Sequence, residues 1–175
     1  MFKKLLTGLV LIIAAIAAYA STKPDNFKVS RSASMNAPAS EIFAQVNNLK
    51  AWESWSPWAK LDPNAKIAYE GPEAGVGAKM GWDGNMEVGK GNLTITESTA
   101  ERIAYHLVFE KPMAGESDSS FVFQEQGGQT QVTWSMEGKQ NFLAKVMSIF
   151  MNCEKMIGEQ FDKGLASMKS IVESN

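Results

Sequence analysis

The sequence holds one histidine, His106, and one cysteine, Cys153. A single cysteine closes no internal disulfide, and a lone histidine supplies no zinc cluster and no dyad with the cysteine. An excess of one charge is missing too, with 17 Lys+Arg against 19 Asp+Glu. No basic tract or basic face stands out, so nucleic acid is not expected as a partner. Neither a metal nor a cofactor is expected, and no protein partner is identifiable. A length of 175 residues leaves room for one domain with a real core.

A long apolar run is present at the start. Lys3 and Lys4 form a short positive region, and Leu5 to Ala20 is uncharged and mainly apolar. Ala18-Tyr19-Ala20 fits the small-x-small pattern cut by signal peptidases. As a helix the run would be about 24 Å long, short of a hydrocarbon core of roughly 30 Å. Residues 1–20 therefore read as a signal peptide or an N-terminal membrane anchor, and on the anchor reading they make contact with the membrane. Export to the cell envelope follows, periplasmic or anchored with the domain outside the cytoplasm. Residues 21–26 are a polar linker, and residues 27–172 are the domain.

From Gln140 to Asn175 apolar residues recur every three or four positions: Phe142, Val146, Ile149, Phe150, Cys153, Ile157, Phe161, Leu165, Met168 and Val172. This predicts an amphipathic helix of some thirty residues spanning roughly 45 Å, with a break at Met151–Asn152 as an alternative because Asn caps helices well. Cys153 is expected to be buried and inert on its apolar side. Gly158 and Gly164 on the same helix open space for a neighbouring strand or a ligand.

Between these ends, Phe27 to Met35 reads as a strand, and Pro38 with Ser40 and Glu41 as a helix start. Ile42, Phe43 and Val46 give one short helix, and Leu49, Trp52 and Trp55 a second helix or turn. From Lys66 to Glu137 the apolar period changes to two. Ile67 and Tyr69, Met80 and Trp82, Leu93 and Ile95, Ile103 to Phe109, Phe121 and Phe123, and Val132 to Met136 mark six more strands. Their short connections make them antiparallel, each with one apolar face, and the last helix is the obvious cover.

Little here carries reaction chemistry. Ile103, Tyr105, Leu107 and Phe109 share one strand face, which turns His106 outward. Gly84 to Gly91 has phosphate-loop spacing but ends in Gly where Ser or Thr belongs, and a strand follows it. Gly75-Val76-Gly77 lacks the third glycine of a dinucleotide fingerprint. Glu97, Glu137 and Glu154 lie near apolar stretches and read as strand-end or helix-surface charges.

Particular segments carry a family resemblance: FKVSRSASMNAP from Phe27 to Pro38, Ile42-Phe43, WESWSPW from Trp52 to Trp58, Gly75-Val76-Gly77-Ala78, Val132 to Met136, and Phe161 to Leu165. Together they resemble the polyketide cyclase/dehydratase-like proteins of the SRPBCC superfamily, which includes START and birch-pollen-allergen proteins. The resemblance covers residues 27 to 172. It implies an α+β helix-grip fold, a curved seven-stranded antiparallel sheet around a long C-terminal helix, with two short helices after the first strand and a hydrophobic cavity between.

On that reading Tyr69, Met80, Trp82, Leu93, Ile95, Tyr105, Leu107, Phe109, Phe121, Phe123, Trp134, Met136, Phe150, Ile157 and Phe161 line the cavity. Rings and Met thioethers would bury a small hydrophobic or amphipathic ligand (a lipid, polyketide-like or aromatic compound), oriented by Trp N–H or Tyr O–H groups. One alternative is a cyclase or dehydratase using a cavity carboxyl and Tyr105. Another is an envelope interaction domain with a filled core and no ligand.

Overall fold

The computed structural model describes residues 2–174. An N-terminal helix α1 (Phe2–Ser21) leads into strand β1 (Asn26–Met35), and helix α2 (Ala39–Asn47) follows. A 3-10 turn (Leu49–Ala51) and two short helices, α3 (Trp52–Trp55) and α4 (Pro57–Leu61), complete the first crossing. Six strands come next: β2 (Lys66–Glu70), β3 (Lys79–Asp83), β4 (Lys90–Ser98), β5 (Arg102–Lys111), β6 (Gly115–Gln126) and β7 (Gln129–Lys139). Helices α5 (Phe142–Phe150) and α6 (Cys153–Val172) end the chain.

The strands form one sheet in the order β1-β7-β6-β5-β4-β3-β2, and every neighbouring pair is antiparallel. Period-two alternation is what makes this sheet one-sided. On β5, Ile103 and Tyr105 are buried, and on β7 Val132, Trp134 and Met136 are, each followed by a residue facing out. Two register shifts between β4 and β5 leave an extra residue on each strand, Thr96 on β4 and Glu110 on β5. Such bulges bend and twist a strand, which curls the sheet around a helix. Gly127 and Gly128 take φ of 61° and 80° in the β6–β7 hairpin, a left-handed geometry that glycine adopts without a Cβ penalty. The helix-grip α+β architecture is as expected.

Of the two readings of the chain's end, the broken helix is the one observed, not the single thirty-residue helix. The chain breaks at Met151–Asn152, where the Asn152 side chain accepts from the Lys155 N–H at 2.9 Å and starts α6. The 20-residue α6 alone lies in the concave face, about 30 Å long, and buries Phe161, Leu165, Met168 and Val172. Helix α5 turns away from the sheet. Cys153, expected to be buried, is exposed, because it is the first residue of α6 and sits at that helix's free end.

Helix α1 also exceeds the expected run, taking in Lys3, Lys4 and Ser21. Its only buried residue is Ala20.

Candidate functional site

The concave face divides into a sealed half and an open half. In the sealed half, α2 to α4 bring Trp52, Trp55 and Trp58 down onto the sheet. Trp52 and Trp55 donate their indole N–H groups to the Val46 and Gln45 carbonyls at the end of α2, each at 3.0 Å. That fixes both rings against the core: Trp52 meets Tyr105 at 5.4 Å, and Trp55 meets Trp134 at 5.7 Å, both edge to face. Phe121 and Phe161 both stack on Trp134, with centroids 4.6 and 4.0 Å from it. These rings interlock as core. The Trp52, Trp55 and Trp58 cluster is absent from the sequence-expected lining, although its three-residue spacing marks it as one helical face.

Gly158 and Gly164 belong to this packing, and neither opens onto a void. A Cβ at Gly164 would lie 2.8 Å from the Trp134 ring and 3.2 Å from Pro57, while one at Gly158 would strike the Arg31 guanidinium. Arg31 in turn pairs with Asp162 at 3.3 Å. The glycines thus admit protein side chains.

Further along each strand the inner face changes. On β5 the buried Ile103 and Tyr105 give way to half-buried Leu107 and Phe109. On β6 the rings of Phe123 and Phe121 give way to Ser119 and Ser117, and β7 passes from Trp134 and Met136 to Gly138. Half-buried Met80 and Trp82 of β3 and Ile157 of α6 border the same region, with Leu93 and Ile95 of β4 buried beside them. Gly91 permits this arrangement, since a Cβ there would lie 2.6 Å from the Trp82 ring. At the strand ends beyond, β1, β7, β6 and β5 frame an open hollow of about 1020 Å³ that includes Phe27, Phe109, Ser117 and Gly138. Residues of both sheet faces line it, His106 and Asp118 among them. It is a groove at the sheet's end, not an enclosed chamber.

Two of the expected lining residues stand apart. Tyr69 is on the edge strand β2, where its hydroxyl donates to Glu53 at 2.9 Å beside a smaller hollow of about 200 Å³. Phe150 is 68% exposed on α5, carried off the concave face by the break before α6.

Within the expected lining, the orienting groups narrow to one. Trp82 donates to the Val88 carbonyl at 3.1 Å, and Trp134 to Ser119 Oγ at 3.1 Å, which itself donates to the Ser135 carbonyl. With Trp52 and Trp55 committed to α2, these indoles are spent on the protein. The Tyr105 hydroxyl is different: it is fully buried, and among the described residues it has no hydrogen-bond partner. Burial pushes its pKa well above the usual phenol value, so it stays a neutral donor. Gln160 Oε1 on α6 is likewise buried without a partner.

Acid–base machinery does not converge here. Glu97 pairs with Arg102 at 3.1 Å and Glu137 with Lys28 at 3.2 Å, both at the surface, and Glu154 is exposed. His106 faces outward and contacts Asp118 across the strand pair at 2.8 Å. Among the described residues no three His, Cys, Asp or Glu side chains group as metal ligands.

Residues 26–173 match the family described as polyketide cyclase / dehydrase and lipid transport. The chain belongs to that family. No curated protein matches it. Among solved structures, protein CV1439 from Chromobacterium violaceum is similar in fold at 16% identity, covering 86% of this chain and 99% of that one with a TM-score of 0.60. A START superfamily protein from Mycobacterium smegmatis is 13% identical over 84% of this chain and 97% of its own, with a TM-score of 0.57. The di-domain ARO/CYC BexL from the BE-7585A biosynthetic pathway is also 13% identical, covering 90% of this chain and 53% of that longer one, with a TM-score of 0.63. These structures share the helix-grip fold with the chain.

Proposed function

We propose that the domain binds a small hydrophobic or amphipathic ligand, lipid-like or aromatic, at the open half of the concave face. The observation that carries this is the change along β5 to β7 from interlocked rings to half-covered Leu107 and Phe109 over small Ser117, Ser119 and Gly138. Half-covered apolar side chains over a floor of small residues gain most from an apolar guest. The buried Tyr105 hydroxyl, at the boundary of the two halves, would donate to a polar atom of that guest. An orphaned hydroxyl costs about 1–3 kcal/mol until a partner satisfies it, so a ligand acceptor is worth that much. Membership of a family that includes lipid transport supports the reading.

Residues 1–20 are, in the same proposal, an export signal or anchor that places the domain outside the cytoplasm. Helix α1 has 20 residues and is about 30 Å long, matching a hydrocarbon core, and lies almost wholly exposed.

The test pairs binding with stability, using the fluorescent apolar probe N-phenyl-1-naphthylamine. Leu107→Lys puts a charge in the open half and leaves the ring cluster intact, so saturable binding should be lost with little change in the urea midpoint. Tyr105→Phe should raise the midpoint of the free protein and weaken ligands that carry an acceptor. Undiminished binding by Leu107→Lys would remove the site from this face. Native mass spectrometry of protein from its own host would identify a co-purifying ligand.

A further inference from the structure

Helix α5 has its polarity reversed. Its one charged residue, Lys145, is 8% exposed and faces inward onto Asp25, with which it forms a hydrogen-bonded ion pair. Phe142, Leu143, Met147 and Phe150, which share one side at 3.6 residues per turn, are 54%, 56%, 40% and 68% exposed. Met151, just past the end of the helix, extends the patch. A helix on a water-facing surface turns its charge out and its rings in. This one does the opposite, so its outer face is built for an apolar environment.

What lies beside it identifies that environment. Helix α5 packs against α1, the 20-residue helix of membrane-spanning length and composition. The covered part of α1 is its last turns, with Ile16 and Ala17 half-buried and Ala20 buried. Contact there fits the tie between α5 and Asp25, four residues past the end of α1, and the Gln140 N–H bond to the Asp25 carbonyl at 2.7 Å. Tyr19, exposed in that last turn, carries the Lys23 ammonium 5.1 Å above its ring. Tyr with a flanking Lys is the pairing that settles at the headgroup level of a bilayer.

We propose that α5 is an interfacial helix: it lies in the surface of the same bilayer that α1 enters, with Phe142, Leu143, Met147 and Phe150 at the headgroup/acyl boundary, beside the lipid carbonyls, and Lys145 turned back to the domain. Short helices with one apolar face bind membranes in this way, in the plane of the interface. The open hollow is framed by Asn26 to Lys28 and Glu137 to Lys139, the segments that follow α1 and precede α5. Both helices therefore hold that end of the domain to the lipid, which makes a membrane lipid the ligand class within reach. This last step rests on the binding function proposed above, and the docking of α5 does not.

Full-length chain in nanodiscs of phosphatidylcholine and phosphatidylglycerol tests it. In a Cys153→Ser background, Phe150→Cys carries an environment-sensitive fluorophore, and Gln126→Cys, at the far end of β6, carries the water-exposed reference. At position 150 the emission should shift to the blue, lose most of its intensity to lipids bearing a doxyl group near the carbonyl, and resist iodide. The reference should respond to iodide alone. A fluorophore at 150 open to iodide overturns the proposal. One shielded from iodide but blind to doxyl lipid also overturns it, because protein, such as a second copy of the chain, then covers α5. Intact mass of the chain taken from host membranes reports separately on retention of α1. A processed chain whose position 150 is still quenched on added vesicles of the same lipids would end the anchor reading and leave the α5 proposal standing.

Discussion

Trp134 and Phe161 stack with ring centroids 4.0 Å apart and planes within 9° of parallel, coupling the last paired strand to the last helix. Trp134 is 2% exposed, so its removal opens a cavity that neighbouring rings cannot close. Trp134→Ala should cost about 3–5 kcal/mol in urea unfolding. A loss below about 1 kcal/mol would mean that the ring borders empty space.

The two helix glycines should respond differently to the same methyl group. At Gly164 the added Cβ meets the locked Trp134 ring and Pro57, so Gly164→Ala should lower stability by about 1–3 kcal/mol. At Gly158 it meets the end of the Arg31 side chain, which can swing aside at the loss of a partly exposed ion pair. That loss is small and is offset by up to about 1 kcal/mol of helix propensity, so Gly158→Ala should leave the midpoint nearly unchanged. Chemical denaturation of the two variants separates these outcomes.

Tyr69 should titrate late. Desolvation, the hydrogen bond to Glu53 and the charge of Glu53 push its pKa up to about 12. Its neutral form is favoured in the folded state, so its contribution to stability is complete below the ordinary value of 10 and is lost as pH rises towards 12. Ultraviolet titration should show a phenol ionising near 12 that is missing in Tyr69→Phe and moves down in Glu53→Gln.

Acid should release α5 ahead of the sheet. The hydrogen bond from Lys145, then its charge, holds the Asp25 carboxyl below its ordinary 3.8. A depressed carboxylate stabilises the fold above its unfolded value, and that help disappears as pH falls through the lower folded value. Hydrogen exchange should show α5 amides losing protection on acidification below pH 3.8 before those of β5 to β7. Asp25→Asn should already be loosened at neutral pH and show no such acid step.

The strands were legible because a half-buried strand writes its alternation into the sequence, as Ile103 to Phe109 do. The helix break was legible in Asn152, a residue type that caps. The direction of α5 was not. Periodicity reveals that Phe142, Val146 and Phe150 share a side, but the Lys145–Asp25 tie that turns this side outward joins residues far apart in the chain. The same limit hid the role of Gly158 and Gly164, since a missing side chain reads alike whether a ring or a void lies opposite. Trp52, Trp55 and Trp58 were visible as a motif, yet only the sheet beneath them shows that they pack on Tyr105, Phe121 and Trp134, residues expected to line a cavity.

The pairing of β1 with β7 has a consequence in time. Asn26 finds its partner only at Lys139, so the first strand waits for nearly the whole domain before its ladder can close. Contacts this distant in sequence form slowly, because the loop between them must be ordered first. A chain emerging N-terminus first therefore exposes β1 unpaired until β7 appears, and α6 has no concave surface to occupy before then. Such a chain remains threadable through a narrow passage until its synthesis is almost complete. The topology that seals the finished domain is thus also what delays its closure.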